Sequence, residues 1–302
     1  MTSTGLQAYL PWLDRQGRVS PLRAVAFALV LVPALILGFE AATGQLGAKP
    51  WTRAVHDTGT WAIRLLLVTL AVSPLRRILD WGKLIGIRRM LGLAVLAYAA
   101  GHLLLYCIDL AFDGGLILSE IVKRFYLIVG IVALAGLVAL GATSTDGMIR
   151  RMGGKNWQRL HNLVYLITGL GLLHFALQSK IDVTQPALLN GLFALLLVYR
   201  GLYRFRAPVT TPVLVAAALA TGLATALCET AWYALATGVS AWMVFQANAD
   251  VVLYQDIGFL RPGHWVALAG LAVALAHAIR APAARPPRRA RRDEALSAPA
   301  GS

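Results

Sequence analysis

The sequence predicts an all-α fold: a polytopic bundle of transmembrane helices with both termini cytoplasmic. Three observations carry this. Hydrophobic residues make up 58% of the 302-residue chain and charged residues only 14%, against about 25% charged in soluble domains. Eight apolar stretches approach or reach the ~20 residues that cross a bilayer as a helix. Basic residues recur in alternate connections, the pattern that orients helices in a membrane. The period-two alternation of an outer-membrane barrel is absent.

The first span, 21–40, follows Arg15, Arg18 and Arg23. Its apolar run exceeds the about 7–15 residues of a signal peptide and no clear A-x-A site follows, so it reads as a retained helix. The others cover 59–78, 90–111, 125–143, 160–178, 186–205, 211–235 and 262–281. Arg76, Arg77, Lys83, Arg88 and Arg89 follow the second span, against Asp80 alone. Arg150, Arg151, Lys155 and Arg159 follow the fourth, against Asp146. Arg204 and Arg206 follow the sixth, and an Arg cluster from Arg280 to Arg292 follows the eighth. The intervening connections carry mixed charge. A net charge of +14 therefore reads as topology rather than nucleic-acid binding. The stretch 242–259 holds Asp250 and Asp256 and reads as an outer loop or interfacial segment, not a ninth span. Cys107 and Cys228 form no CxxC and read as packing residues. The expected organisation is a cytoplasmic segment 1–20, a core 21–206, an extra pair of spans 207–281 and a disordered basic tail 282–302.

Histidines inside spans are functional candidates by default. His102 lies thirteen residues past Arg89 and His174 fifteen past Arg159. Helical rise puts them about 20 and 22 Å from the basic side, at one level in the outer half. His161, two residues past Arg159, sits roughly 3 Å deep. His161 and His174 lie about 140° apart around a straight helix, so they do not share a face. Gly169 and Gly171 are candidate bend points between them. His277 is a candidate inner partner for His161; His56 and His264 read as ordinary residues at the outer interface.

Two histidines from different helices at one level suit a metal between them. Zinc takes three or four protein ligands, and only the thiol of Cys107 is near. A heme iron takes one or two axial ligands, and its porphyrin fills an apolar cleft. Heme is therefore the better cofactor. Arg64, about 18 Å from the inner face, matches the level of His102 and His174 and reads either as a propionate partner or as a snorkelling surface arginine.

RRMLGLAVLAYAAGHLLLY (88–106), TSTDGMIRRMGG (143–154), and WQRLHNLVYL (157–166) with HF at 174–175 carry a resemblance. Over residues 20–206 the chain resembles the heme-binding membrane subunits of the bacterial periplasmic methionine-sulfoxide reductase system, in the ferric-reductase-like transmembrane superfamily. The resemblance implies one or two b-type hemes with His102, His161 and His174 as iron-ligand positions, and FMN. It implies electrons from the quinone pool or a cytoplasmic flavin reductase, an inner-membrane location, and a molybdenum-containing periplasmic partner that reduces methionine sulfoxide in proteins. Arg150, Arg151 and Lys155 are then candidates for an FMN phosphate, although they read equally as a topology signal. The Met-Gly-Gly-Lys stretch lacks phosphate-loop spacing. Thr143, Ser144 and Thr145 are expected to cap a short interfacial helix ending at Gly153. Two alternatives stay open: a stand-alone ferric or oxygen reductase, against which the missing dinucleotide fingerprint speaks, and a proton-coupled transporter without cofactor.

Overall fold

A computed structural model describes residues 10–14, 16–179, 182–249 and 260–280. Its helices are α1 (Pro21–Ala42), α2 (Pro50–Ile78), α3 (Arg88–Asp109), α4 (Gly114–Lys123), α5 (Phe125–Ala142), α6 (Asp146–Met152), α7 (Gly154–His161), α8 (Val164–Gln178), α9 (Thr184–Arg204), α10 (Thr211–Ala236), α11 (Ala241–Ala249) and α12 (Pro262–Arg280). A short 3-10 helix, Gly82–Ile87, leads into α3. Among the described residues there is no strand beyond an isolated bridge between Leu13 and Val19.

Eight segments are long and apolar enough to cross a membrane, and they correspond to the eight expected spans. The chain is a multi-pass all-α membrane protein. Large apolar side chains such as Leu29, Leu35, Phe39 and Leu118 are exposed, as a surface solvated by lipid requires.

Two differences from expectation bear on the site. Helix α2 starts at Pro50, well before 59; polar Thr52, His56 and Asp57, which interrupt the apolar run, lie within its first turns. The fifth crossing is not one helix. α7 ends at His161 and α8 begins at Val164, with Leu163 N–H bonded back to Leu160 O at 3.0 Å. Asn162 and Leu163 have ψ values of −18° and −14°, the shallow values of a 3-10 turn. The amide of Gln158 donates to Asn162 Oδ1 (2.9 Å) across this turn. Gly169 and Gly171, the candidate bend points, lie inside unbroken α8.

Helix α6 forms as expected. Thr145 Oγ1 accepts from the Met148 amide, and Gly153 ends the helix at φ 75°, a conformation glycine reaches without steric cost. Helices α4 and α11 lie in stretches read as connections. Residues 250–259, with Asp250 and Asp256, and 281–302 fall outside the described residues.

Helix α2 is central, packed on α3, α8 and α9, while α5 packs on α8. Leu65, Leu66, Leu70, Val95, Leu140 and Ile167 form the buried core between them. Pro33 interrupts the hydrogen-bond ladder of α1, and Tyr98 of α3 enters the gap. Its hydroxyl donates to Val30 O (2.8 Å) and accepts from Ala34 N (3.0 Å), an insertion of the kind that bends helices.

The pair α10 and α12 packs on α9. The two backbones approach so closely that a Cβ at Gly222 would stand 2.8 Å from Gly263 O. At one end of the pair Glu229, 1% exposed, accepts from Arg261 (2.6 Å) and from Asn248 Nδ2 (3.1 Å). A buried carboxylate needs such partners.

Candidate functional site

The structure brings His102 of α3 and His174 of α8 together. Their ring centroids are 6.2 Å apart and their planes cross at 83°. The rise argument placed them at one level; the packing of α2, α3, α5 and α8 turns them toward each other.

Both rings are held by the same device. His102 Nδ1 lies 2.8 Å from Val55 O of α2, and His174 Nδ1 lies 2.7 Å from Tyr126 O of α5. A carbonyl only accepts, so each Nδ1 carries the proton and each Nε2 keeps its lone pair. Four residues after each carbonyl stands a glycine, Gly59 and Gly130 respectively. A helical carbonyl points along the axis toward residue i+4, whose side chain would screen it. A Cβ at Gly59 would be 2.8 Å from His102 Nδ1, and one at Gly130 would be 2.8 Å from His174 Nδ1. The glycines open windows through which each ring reaches a carbonyl already engaged in its helix.

These residues fit a heme. Metal–imidazole bonds of about 2 Å put the centroids of two axial rings about 6 Å apart, as observed. Both Nε2 atoms are unprotonated, and each ring is oriented by a carbonyl on its other nitrogen, the usual support for a metal-ligating histidine. Among the described residues no group of three or more His, Cys, Asp or Glu is placed to hold a metal ion, so the donor set suits an iron needing two axial ligands rather than zinc.

His161 is placed otherwise. Its ring stacks on Trp157, centroids 4.0 Å apart at 24°. Thr143 Oγ1 donates to Ala139 O (2.8 Å) and therefore accepts from His161 Nε2 (3.1 Å). The proton of His161 thus sits on Nε2, the reverse of the paired histidines. Trp157 Nε1 also donates to Thr143 O (2.9 Å). His277 does not join His161. Its Nδ1 lies 3.0 Å from Thr211 Oγ1, within the α10–α12 pair. At the outer level His56 takes a hydrogen bond from Gln178 (2.9 Å), and His264 Nδ1 accepts from Arg261 N (3.1 Å).

Arg64 donates to Gln185 Oε1 (3.1 Å) and lies over the Trp61 ring, 4.9 Å from its centroid. It stands nine residues along α2 from Val55, about half a turn around the helix from the carbonyl that holds His102. Those nine residues are also about 13 Å of rise along α2, so Arg64 is offset from the histidine pair along the helix as well as around it. Arg150, Arg151 and Lys155 are exposed on α6 and α7.

Sequence reasoning missed Val55, Gly59, Tyr126 and Gly130. A signal was present: VHDTG (55–59) and YLIVG (126–130) each end in a span glycine, and such a glycine often marks a close approach. The partners of Thr143 and Trp157 had no signal, because they follow from the turn at Asn162.

A model described as the ferric reductase like transmembrane component matches residues 58–172. The chain is 42% identical over 188 residues to the protein-methionine-sulfoxide reductase heme-binding subunit MsrQ of Rhodospirillum rubrum, covering 62% of this chain and 88% of that protein. It is 44% identical over 196 residues to MsrQ of Xanthomonas campestris pv. campestris strain B100, covering 63% and 89%, and 41% identical over 182 residues to MsrQ of Herminiimonas arsenicoxydans, covering 59% and 84%. No solved structure matches the chain. With most of each relative aligned at this identity, and a histidine pair held ready for an axial metal, the chain belongs to the family of MsrQ heme-binding membrane subunits.

Proposed function

We propose that this chain is the transmembrane electron-transfer subunit of a protein-methionine-sulfoxide reductase system, carrying b-type heme between His102 and His174. The observation that supports this is the pair itself: two rings 6.2 Å apart, each with Nδ1 on a carbonyl and Nε2 free to ligate. When bound, the heme supplies one-electron storage without proton transfer. The chain's own residues hold its axis and fix the ligand tautomers. Apolar side chains of the helices exclude water around the rings and so favour tuning of the potential by the protein.

The finer assignments rest on the family and on residue placement. Electrons enter from the quinone pool or a cytoplasmic flavin reductase at the basic end of the bundle, near His161, and leave at the histidine-pair end. The acceptor is a periplasmic molybdenum-containing catalytic subunit. The protein sits in the bacterial inner membrane with cytoplasmic termini, as the recurrent basic connections indicate. Arg150, Arg151 and Lys155, three exposed cations within one helix–turn–helix, offer a phosphate site for FMN. Residues 21–206 form the heme-binding core, and 207–281 an appended pair.

A reduced-minus-oxidised spectrum of the purified protein tests the central claim. A bis-imidazole heme signal is expected, and His102→Ala or His174→Ala each abolishes it. Well-folded protein without a Soret band overturns the proposal.

A further inference from the structure

Among the described residues, four buried side-chain polar atoms lack a hydrogen-bond partner: Tyr106 Oη, Trp232 Nε1, Asn248 Oδ1 and Arg261 Nε. Three of these belong to α10, α11 and the residue before α12. The fourth, Tyr106, is on α3, four residues beyond His102. Residues four apart on a helix stand one above the other on the same face, so Tyr106 lies one turn past His102, toward the end of the bundle away from the basic connections. Its phenol is only half-buried as a residue, yet its hydroxyl is sealed from solvent. The titratable groups around it are Glu120, Tyr126, Arg124 and Cys107. Glu120 is already paired with Arg124 (2.6 Å), and the Tyr126 hydroxyl accepts from Arg124 (3.1 Å). None of them takes the Tyr106 proton.

A buried hydroxyl left unpaired costs about 1–3 kcal/mol, so such atoms in folded proteins find a partner in bound groups or water. A heme held by His102 and His174 would carry two carboxylates, and each needs donors once taken out of water. We propose that the Tyr106 hydroxyl is a positioning donor that hydrogen-bonds a carboxylate of the heme held by His102 and His174. This rests on the heme assignment above.

The test compares wild type and Tyr106→Phe as purified holoproteins, each loaded with heme or with heme dimethyl ester, whose carboxylates are blocked. With ordinary heme, Tyr106→Phe keeps the bis-imidazole spectrum but lowers the midpoint potential, because an unneutralised carboxylate favours ferric iron. The expected change in the ferrous-to-ferric ratio is about three- to tenfold, tenfold being 59 mV for a one-electron couple. With the dimethyl ester the two proteins have the same potential. An unchanged potential with ordinary heme, or an equal shift with the ester, overturns the inference and assigns the hydroxyl to water or packing. Wild type that binds no heme overturns the underlying function instead.

Discussion

Replacing Gly130 by alanine tests the window that lets His174 reach its carbonyl. The new methyl carbon would stand 2.8 Å from Nδ1, 2.9 Å from Cε1 and 3.3 Å from Cγ of His174. Non-bonded atoms settle at about 3.5–4.0 Å, so the ring must retreat by roughly 0.7 Å or more. Retreat breaks the 2.7 Å bond to Tyr126 O, a bond worth about 0.5–1.5 kcal/mol. Overpacking adds about 1–3 kcal/mol, and the gain from alanine over glycine in a helix returns about 1 kcal/mol. The net is a loss of about 0.5–3.5 kcal/mol of stability, and heme binding weakens because the displaced ring no longer presents Nε2 at its native position. Gly169→Ala in α8 is the control, since nothing lies within 4 Å of its Cβ; only the propensity gain of about 1 kcal/mol remains there. Titration of the apoprotein with hemin, read at the Soret band, and thermal unfolding of each variant measure both effects. Wild-type heme affinity in Gly130→Ala, or identical behaviour of the two variants, refutes the window.

Three further outcomes follow from the same structure. Arg261→Ala leaves Glu229 buried without its cation and should cost about 3–5 kcal/mol, seen as a lower melting temperature, whereas Glu229→Gln with Arg261→Gln should recover most of that loss. His161→Gln should keep the bis-imidazole spectrum while slowing reduction from the basic end; disappearance of the main heme signal would make His161 a ligand of it. Tyr98→Phe removes both bonds that bridge the gap at Pro33 and should destabilise the protein by about 1–2 kcal/mol, while a melting temperature equal to wild type would mean that α1 recloses its ladder without the hydroxyl.

The spans were legible because crossing a bilayer imposes a length and an apolar composition on each helix separately. The level of His102 and His174 was legible for a related reason: rise per residue is a property of helical backbone, and Arg89 and Arg159 mark the basic side of two crossings. For Arg64 the same arithmetic left two readings open, and its bond to Gln185 and contact with Trp61 depend on how α2 is rotated against its neighbours. The pairing of His161 with His277 does not form. Equal depth said nothing of the turn at Asn162, which directs His161 to Thr143, or of the packing that gives His277 to Thr211.

By itself the sequence determined the class of molecule, the eight crossings, the common level of two histidines and, through its motifs, the family. These depend on local composition and on spacing along one helix. Only the tertiary structure decided which rings meet, which nitrogen of each carries the proton, and that Gly59 and Gly130 expose the carbonyls that set those protons. Those features depend on the rotation of one helix about its axis relative to its neighbours. Rotation is fixed by packing between residues distant in sequence, such as Val55 with His102 and Tyr126 with His174.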